Sequence, residues 1–129
     1  MTTSIVSDKI DLERVVTMAQ VDDTKHVIVA VGRSARFSGK QDVRSVFYET
    51  YEDLAPGVLD NIEKDTSERF RINRICIFHR FGKIPLGEST YVVAVSASRH
   101  EDAFQACKFI VDGINSDLPV WKYEIPDKS

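Results

Sequence analysis

A chain of 129 residues with 43% hydrophobic and 29% charged side chains has the make-up of one globular domain, neither disordered nor built for a bilayer. Its net charge of −3 offers no broad basic field to a nucleic acid, so any anion site must be a local cluster. No run of about 18 apolar residues is present to span a membrane.

The first residues, MTTSIVSDKIDLERVV, lack the basic start and long apolar block of a secretion signal, so a cytoplasmic address is expected. Leu12, Val15 and Val16 lie at helical spacing and predict a short helix over 8–18. The run HVIVAVG over 26–32 is β-branched and nearly all apolar, which reads as a buried strand. It leads into RSARFSGK over 33–40, a polar loop carrying Arg33, Arg36 and Lys40, with Gly32 before it and Gly39 near its end. VRSVFYETY over 43–51 is rich in β-formers and predicts a second strand.

A helix is expected over 53–67, with Leu54, Val58, Leu59 and Ile62 on one face and Pro56 near its start. Strand character returns over 71–79, with Ile75 and Ile77 on one face and Cys76 and Phe78 on the other. A loop over 81–87 and a strand over 90–97 follow. Ser98 and Glu101 have the spacing of a capping box, and Phe104, Cys107, Ile110, Val111 and Ile114 form the apolar stripe of the helix it would open. Asn115 to Asp117 ends that helix, Pro119 forbids its continuation, and Trp121 and Lys122 lie on a terminal strand.

The order α-β-β-α-β-β-α-β pairs consecutive strands, which favours an α+β fold: an antiparallel or mixed sheet with packed helices, in a single domain over 1–129. No G-x-G-x-x-G or Walker loop is present, which excludes the doubly wound nucleotide folds. The two cysteines, Cys76 and Cys107, match no metal spacing and read as small core residues. There is no Ser-His-Asp order and no carboxylate cluster that demands a metal.

Chemistry then rests on cations. Arg99 and His100 stand at a helix start, where free backbone N–H groups favour phosphate or carboxylate. Lys122 follows an aromatic on a strand; such a lysine is ordinarily a solvated edge charge, but a partly dry one can bind phosphate or approach an acyl carbon. His79-Arg80 ends a strand before a Gly-containing loop and reads either as a structural pair or as part of a site. Residues alone give an anion-binding α+β domain.

The string HRFGKIPLGE over 79–88, followed by YVVAVSASRHEDAF and PVWKYE, resembles the large, catalytic subunit of molybdopterin synthase. The likeness covers about residues 26–124 and is strongest over 77–124. It implies a hammerhead-like α+β subunit that forms a homodimer and receives the Gly-Gly tail of a small ubiquitin-like sulfur carrier. It implies sulfur transfer from that tail's thiocarboxylate to cyclic pyranopterin monophosphate, with no resident cofactor or metal and no nucleic-acid or membrane partner.

Carried over by position, the family's His-Arg pair falls on Arg99-His100 in reversed order, and its P-x-W-K lysine falls on Lys122, followed by Tyr123 and Glu124. The lysine that the family keeps at the end of the Ala103-Phe104 helix falls on Asn115, which supplies neither charge nor an amine. The family's G-x-x-R loop falls on Gly32, Arg33, Ser34 and Ala35, with the arginine displaced to Arg36 or replaced by Arg33. Family members continue past the P-x-W-K strand, whereas this sequence stops at Ser129. The departures leave two readings open beside a generic phosphate-binding domain: an active synthase subunit, or a non-catalytic paralogue that keeps the fold as a binding or scaffold subunit.

Overall fold

The computed structural model describes residues 2–21 and 23–127. Along the chain run β1 (Thr2–Val6), α1 (Leu12–Ala19), β2 (His26–Arg33), β3 (Val43–Glu49), α2 (Ala55–Arg69), β4 (Arg74–Arg80), β5 (Gly82–Pro85), β6 (Ser89–Ala97), α3 (His100–Asp117) and β7 (Trp121–Pro126). They form a mixed four-stranded sheet in the order β1-β4-β6-β2 and an antiparallel three-stranded sheet in the order β5-β3-β7. The fold is α+β.

The central strands β4 and β6 are buried on both faces, which is why their sequences lack a polar alternation. Ile75, Ile77, Val93 and Val95 pack with α2 and α3, while Cys76, Phe78, Val92 and Ala94 pack with α1. Helix α3 lays Ala103, Ala106, Cys107, Ile110 and Ile114 along one stripe, as a 3.6-residue period requires. Each large aliphatic side chain buried there contributes roughly 1.5–3 kcal/mol.

The smaller sheet has its own cluster of Val46, Tyr48 and Ile84, closed by Phe81, Leu86 and Val120. The β3–β7 register sets Tyr48 opposite Lys122 and Phe47 opposite Tyr123. Strand neighbours point to opposite faces, so Lys122 turns toward the body of the domain with Tyr48, and Tyr123 turns outward with Phe47. Buried Arg80 ties the end of β4 to the segment after β1 and to the β5–β6 turn: its Nη1 donates to Glu88 Oε1 at 2.8 Å and its Nε to the Ser7 carbonyl at 3.3 Å.

Several expectations need correction. Strand β1 was not foreseen, because TTSIV is mostly polar; it forms by parallel pairing with β4 and is held to α2 by a Thr3 hydroxyl donating to Asp60 Oδ1 at 2.8 Å. Strand β5 was expected to be loop; its Gly82 and Pro85 are tolerated because it lies at a sheet edge. Strand β2 is an edge rather than a buried strand, and Val31 is 41% exposed. The Ser98–Glu101 capping box does not form: Arg99 is the N-cap without a side-chain cap bond, and its Nη2 donates to Glu101 Oε2 at 3.3 Å. Phe104 leaves the expected stripe and is 56% exposed.

Replacing Ile110 by Ala should lower the unfolding free energy by about 2–5 kcal/mol, whereas Phe104→Ala should change it by less than about 0.5 kcal/mol. Urea unfolding of the two variants reads both values. The reverse ranking would mean that α3 packs by a different face.

Candidate functional site

The last turn of α3 ends against both sheets, and the gap left there is a cleft of about 350 Å³. Arg33 enters it from β2, Tyr48 from β3, His79 from β4, Tyr91 from β6, Asn115 from α3 and Lys122 from β7. Gly32 brings β2 against β6 so closely that a Cβ there would lie 2.6 Å from Tyr91 Cδ2 and 2.8 Å from Thr90 Oγ1. A side chain at position 32 would therefore push the Tyr91 ring out of place.

The charged groups on the cleft wall are the two cations Arg33 and Lys122. Lys122 Nζ stands 5.6 Å from the centroid of the Tyr48 ring, within reach of a cation–π attraction. Burial raises the Tyr48 phenol above its ordinary pKa, and a hydrogen bond with the Ser34 side chain offsets part of that rise. Asn115 sits in the last turn of α3, which carries no basic residue although the helix dipole favours one there.

His79, left open by the sequence between a structural pair with Arg80 and part of a site, forms part of the cleft wall. It is 3% exposed, and its ring lies parallel to Phe81 with centroids 4.4 Å apart. Nδ1 is 3.2 Å from the Arg80 carbonyl, which can only accept, so Nδ1 carries the proton. Burial lowers its pKa to about 4; the Arg80 carbonyl opposes this shift and the charge of Lys122 adds to it. The sequence signal was strand parity, since His79 shares a face with Ile75 and Ile77. Tyr48 and Tyr91 carried no such signal, because the first comes from the other sheet and the second from an unremarkable strand position.

The other candidate residues are placed differently. Arg33 lines the cleft while its Nε donates to the Gly87 carbonyl at 3.2 Å. Gly87 holds a left-handed turn at φ 86° for that contact. Ser34 is buried, its N–H donating to the Glu88 carbonyl at 2.9 Å. Ala35 is exposed. Arg36 Nε donates to the Val43 carbonyl at 3.0 Å and braces the start of β3. The Glu124 carboxylate accepts from the N–H groups of Phe37 at 2.7 Å and Ser38 at 3.1 Å. The Ser38 side chain and these N–H groups hold it below the usual carboxylate range.

Arg99 and His100 lie at the far end of α3, about 24 Å along the helix from Asn115; the His100 ring makes an edge contact with His26 at 5.5 Å. Within one chain, then, the cleft gathers Arg33, Asn115 and Lys122, and Arg99 and His100 stand apart from it. Both cysteines are buried, and burial pushes the Cys107 thiol up to about 11. Among the described residues no group of three or more His, Cys, Asp or Glu could hold a metal ion.

The family model described as MoaE protein matches residues 5–117. The chain is 30% identical over 118 residues to a molybdopterin synthase catalytic subunit of Pyrococcus abyssi, covering 92% of this chain and 80% of the relative. It is 35% identical over 89 residues to one from Arabidopsis thaliana, covering 69% of this chain and 44% of that longer protein. The crystal structure of molybdopterin synthase from Staphylococcus aureus superposes with a TM-score of 0.85 at 25% identity, over 97% of this chain and 91% of the other. A chain from a complex of subunits 1 and 2 of the molybdopterin-converting factor of Helicobacter pylori shares the fold, with a TM-score of 0.81 at 14% identity over 98% and 86%.

The lowered pKa of His79 gives a pH dependence of known sign. Above pH 6.5 the ring is neutral in both folded and unfolded chains and makes no difference. Below it the unfolded chain takes up a proton that the folded one refuses, so stability falls as the pH drops toward 4, by roughly 3 kcal/mol in all. Urea unfolding at pH 7 and pH 4 should show a smaller acid loss in His79→Gln than in the unaltered chain. Equal losses would assign the acid sensitivity to other groups.

Proposed function

We propose that this chain, which belongs to the MoaE protein family, is the catalytic subunit of a molybdopterin synthase working in the cytoplasm. It takes sulfur from the thiocarboxylate at the tail of a small ubiquitin-like carrier and delivers it to cyclic pyranopterin monophosphate. Two such transfers make the dithiolene of molybdopterin. The observation that carries this reading is the meeting of Arg33, Asn115 and Lys122 in one cleft between the two sheets.

The assignment of roles follows from chemistry. A guanidinium offers paired donors matched to a phosphate, which suits Arg33 to the phosphate of the substrate. Lys122 is a compact charge beside an aromatic wall, suited to the oxygen on which negative charge grows when the acyl–sulfur bond is attacked. Asn115 can hydrogen-bond a carbonyl or a phosphate oxygen but adds no charge. The carrier is proposed as the second subunit, in keeping with the name catalytic subunit borne by the relatives and with the two-subunit complex described for the H. pylori protein. On this reading the protein is a homodimer, in which Arg99 and His100 serve a cleft other than that of their own chain.

Asn115 also supports a second reading, a paralogue that keeps the fold and binds without turnover. Sulfur transfer to the pterin precursor, assayed with thiocarboxylated carrier, separates the two. Product above background establishes the enzyme, and its absence sinks that reading. Lys122→Ala should then reduce turnover on the order of 10²-fold with the fold intact by circular dichroism. Near-normal turnover would remove Lys122 from the mechanism. Asn115→Lys places a cation in the last helical turn, where the dipole favours it. A large gain in turnover would mark a decayed site, and no gain in an already active protein would mark a compensated one.

A further inference from the structure

The geometry points to His79 as a further specificity-determining residue of the cleft. Its Nε2 accepts a hydrogen bond from an N–H or O–H of the substrate while Arg33 and Lys122 hold the anionic part. This rests on the function proposed above and extends it to the uncharged end of the ligand.

The lone pair is placed by the fold. Nδ1 is occupied by the Arg80 carbonyl at 3.2 Å, so in the neutral ring Nε2 is the bare acceptor. Among the described residues Nε2 has no partner, and no fully buried side-chain nitrogen or oxygen lacks one. Nε2 is therefore not sealed inside the protein: it opens onto the cleft that His79 lines.

The ring is held in that orientation. It stacks on Phe81 at 4.4 Å with 9° between the planes, and Tyr91 approaches at 5.9 Å. It also stays neutral. Among the described residues the titratable groups lining the cleft beside His79 are Arg33 from β2, Tyr48 from β3, Tyr91 from β6 and Lys122 from β7, with no carboxylate to stabilise an imidazolium. Burial and Lys122 both oppose protonation.

Arg33 and Lys122 can only donate, so His79 gives the wall a fixed acceptor beside an anion site. A bare phosphate satisfies the cations and leaves Nε2 without a partner. A phosphate joined to a nitrogen heterocycle bearing ring N–H groups satisfies both, and a pterin phosphate is such a ligand. An acceptor covered by a ligand that brings no donor is penalised, which is how such sites discriminate, whereas a ligand that leaves it to solvent is not.

Calorimetric titration of the protein with cyclic pyranopterin monophosphate and, separately, with inorganic phosphate tests the assignment. His79→Phe keeps the stacking on Phe81 and removes the acceptor. It should weaken the pterin roughly tenfold and change phosphate binding by less than about twofold. In the unaltered protein the ¹⁵N resonance of His79 Nε2 should move with the pterin and stay still with phosphate, a readout that does not depend on the variant folding. Unchanged pterin affinity in a folded His79→Phe, or a silent Nε2 while the pterin binds, overturns the role of His79 alone. An unaltered protein that binds phosphate but no pterin overturns both this role and the function proposed above.

Discussion

The cleft depends on the register of β7 against β3. With Tyr48 opposite Lys122, the lysine faces inward and Tyr123 faces solvent. A slip of one residue would exchange them, because strand side chains alternate with a period of two. The pairing is pinned at both ends. Near its start, the Thr50 hydroxyl donates to the Pro119 carbonyl at 2.6 Å and Tyr51 makes an edge contact with Trp121 at 4.9 Å. Toward its end, Glu124 grips the N–H groups of Phe37 and Ser38, and the Asp127 N–H donates to the Asp42 carbonyl at 2.7 Å. The 33–38 loop and the terminal strand are thus set by one another, although about 85 residues of sequence separate them.

Much of the fold could be read from the sequence where burial imposes a period. The stripe Cys107, Ile110 and Ile114 and the two faces of β4 came out as expected, since both follow directly from helix and strand geometry. The misses share a cause. TTSIV and GKIP have little strand character of their own and are strands because a neighbouring strand offers its edge. Ser98 and Glu101 have the right spacing for a cap, but the helix begins one residue later, which moves Glu101 out of reach of its role.

The site was legible in a different way. Lys122 stood out as a strand lysine beside an aromatic and Asn115 only through the resemblance, and the structure places them together in the cleft. The choice between Arg33 and Arg36 was not open to sequence reasoning. In the structure Arg33 lines the cleft, whereas Arg36 is not on its wall and braces β3. The two readings left open for His79-Arg80 divide between the residues, since Arg80 performs the structural role and His79 lines the cleft. Two adjacent residues on a strand face opposite ways, and here one faces the cleft while the other ties three segments together.

That tie limits how the protein can change over generations. Arg80 is 7% exposed and shares its guanidinium between Glu88 and the Ser7 carbonyl. Losing Glu88 alone strands a buried cation, and losing Arg80 alone strands a half-covered carboxylate and a carbonyl; either step is far costlier than exchanging both for apolar groups that fill the same space. A lysine at 80 is no halfway house, because a single ammonium lacks the fork that spans both acceptors. Substitution at 80 and 88 therefore has to be joint, and the route passes through an intermediate that folds poorly. The turn between β5 and β6 that carries Glu88 also meets Arg33 through Gly87. This wall of the cleft is consequently hard to remodel by single mutations, whereas Asn115, exposed in the last turn of α3, can be exchanged without breaking such a tie.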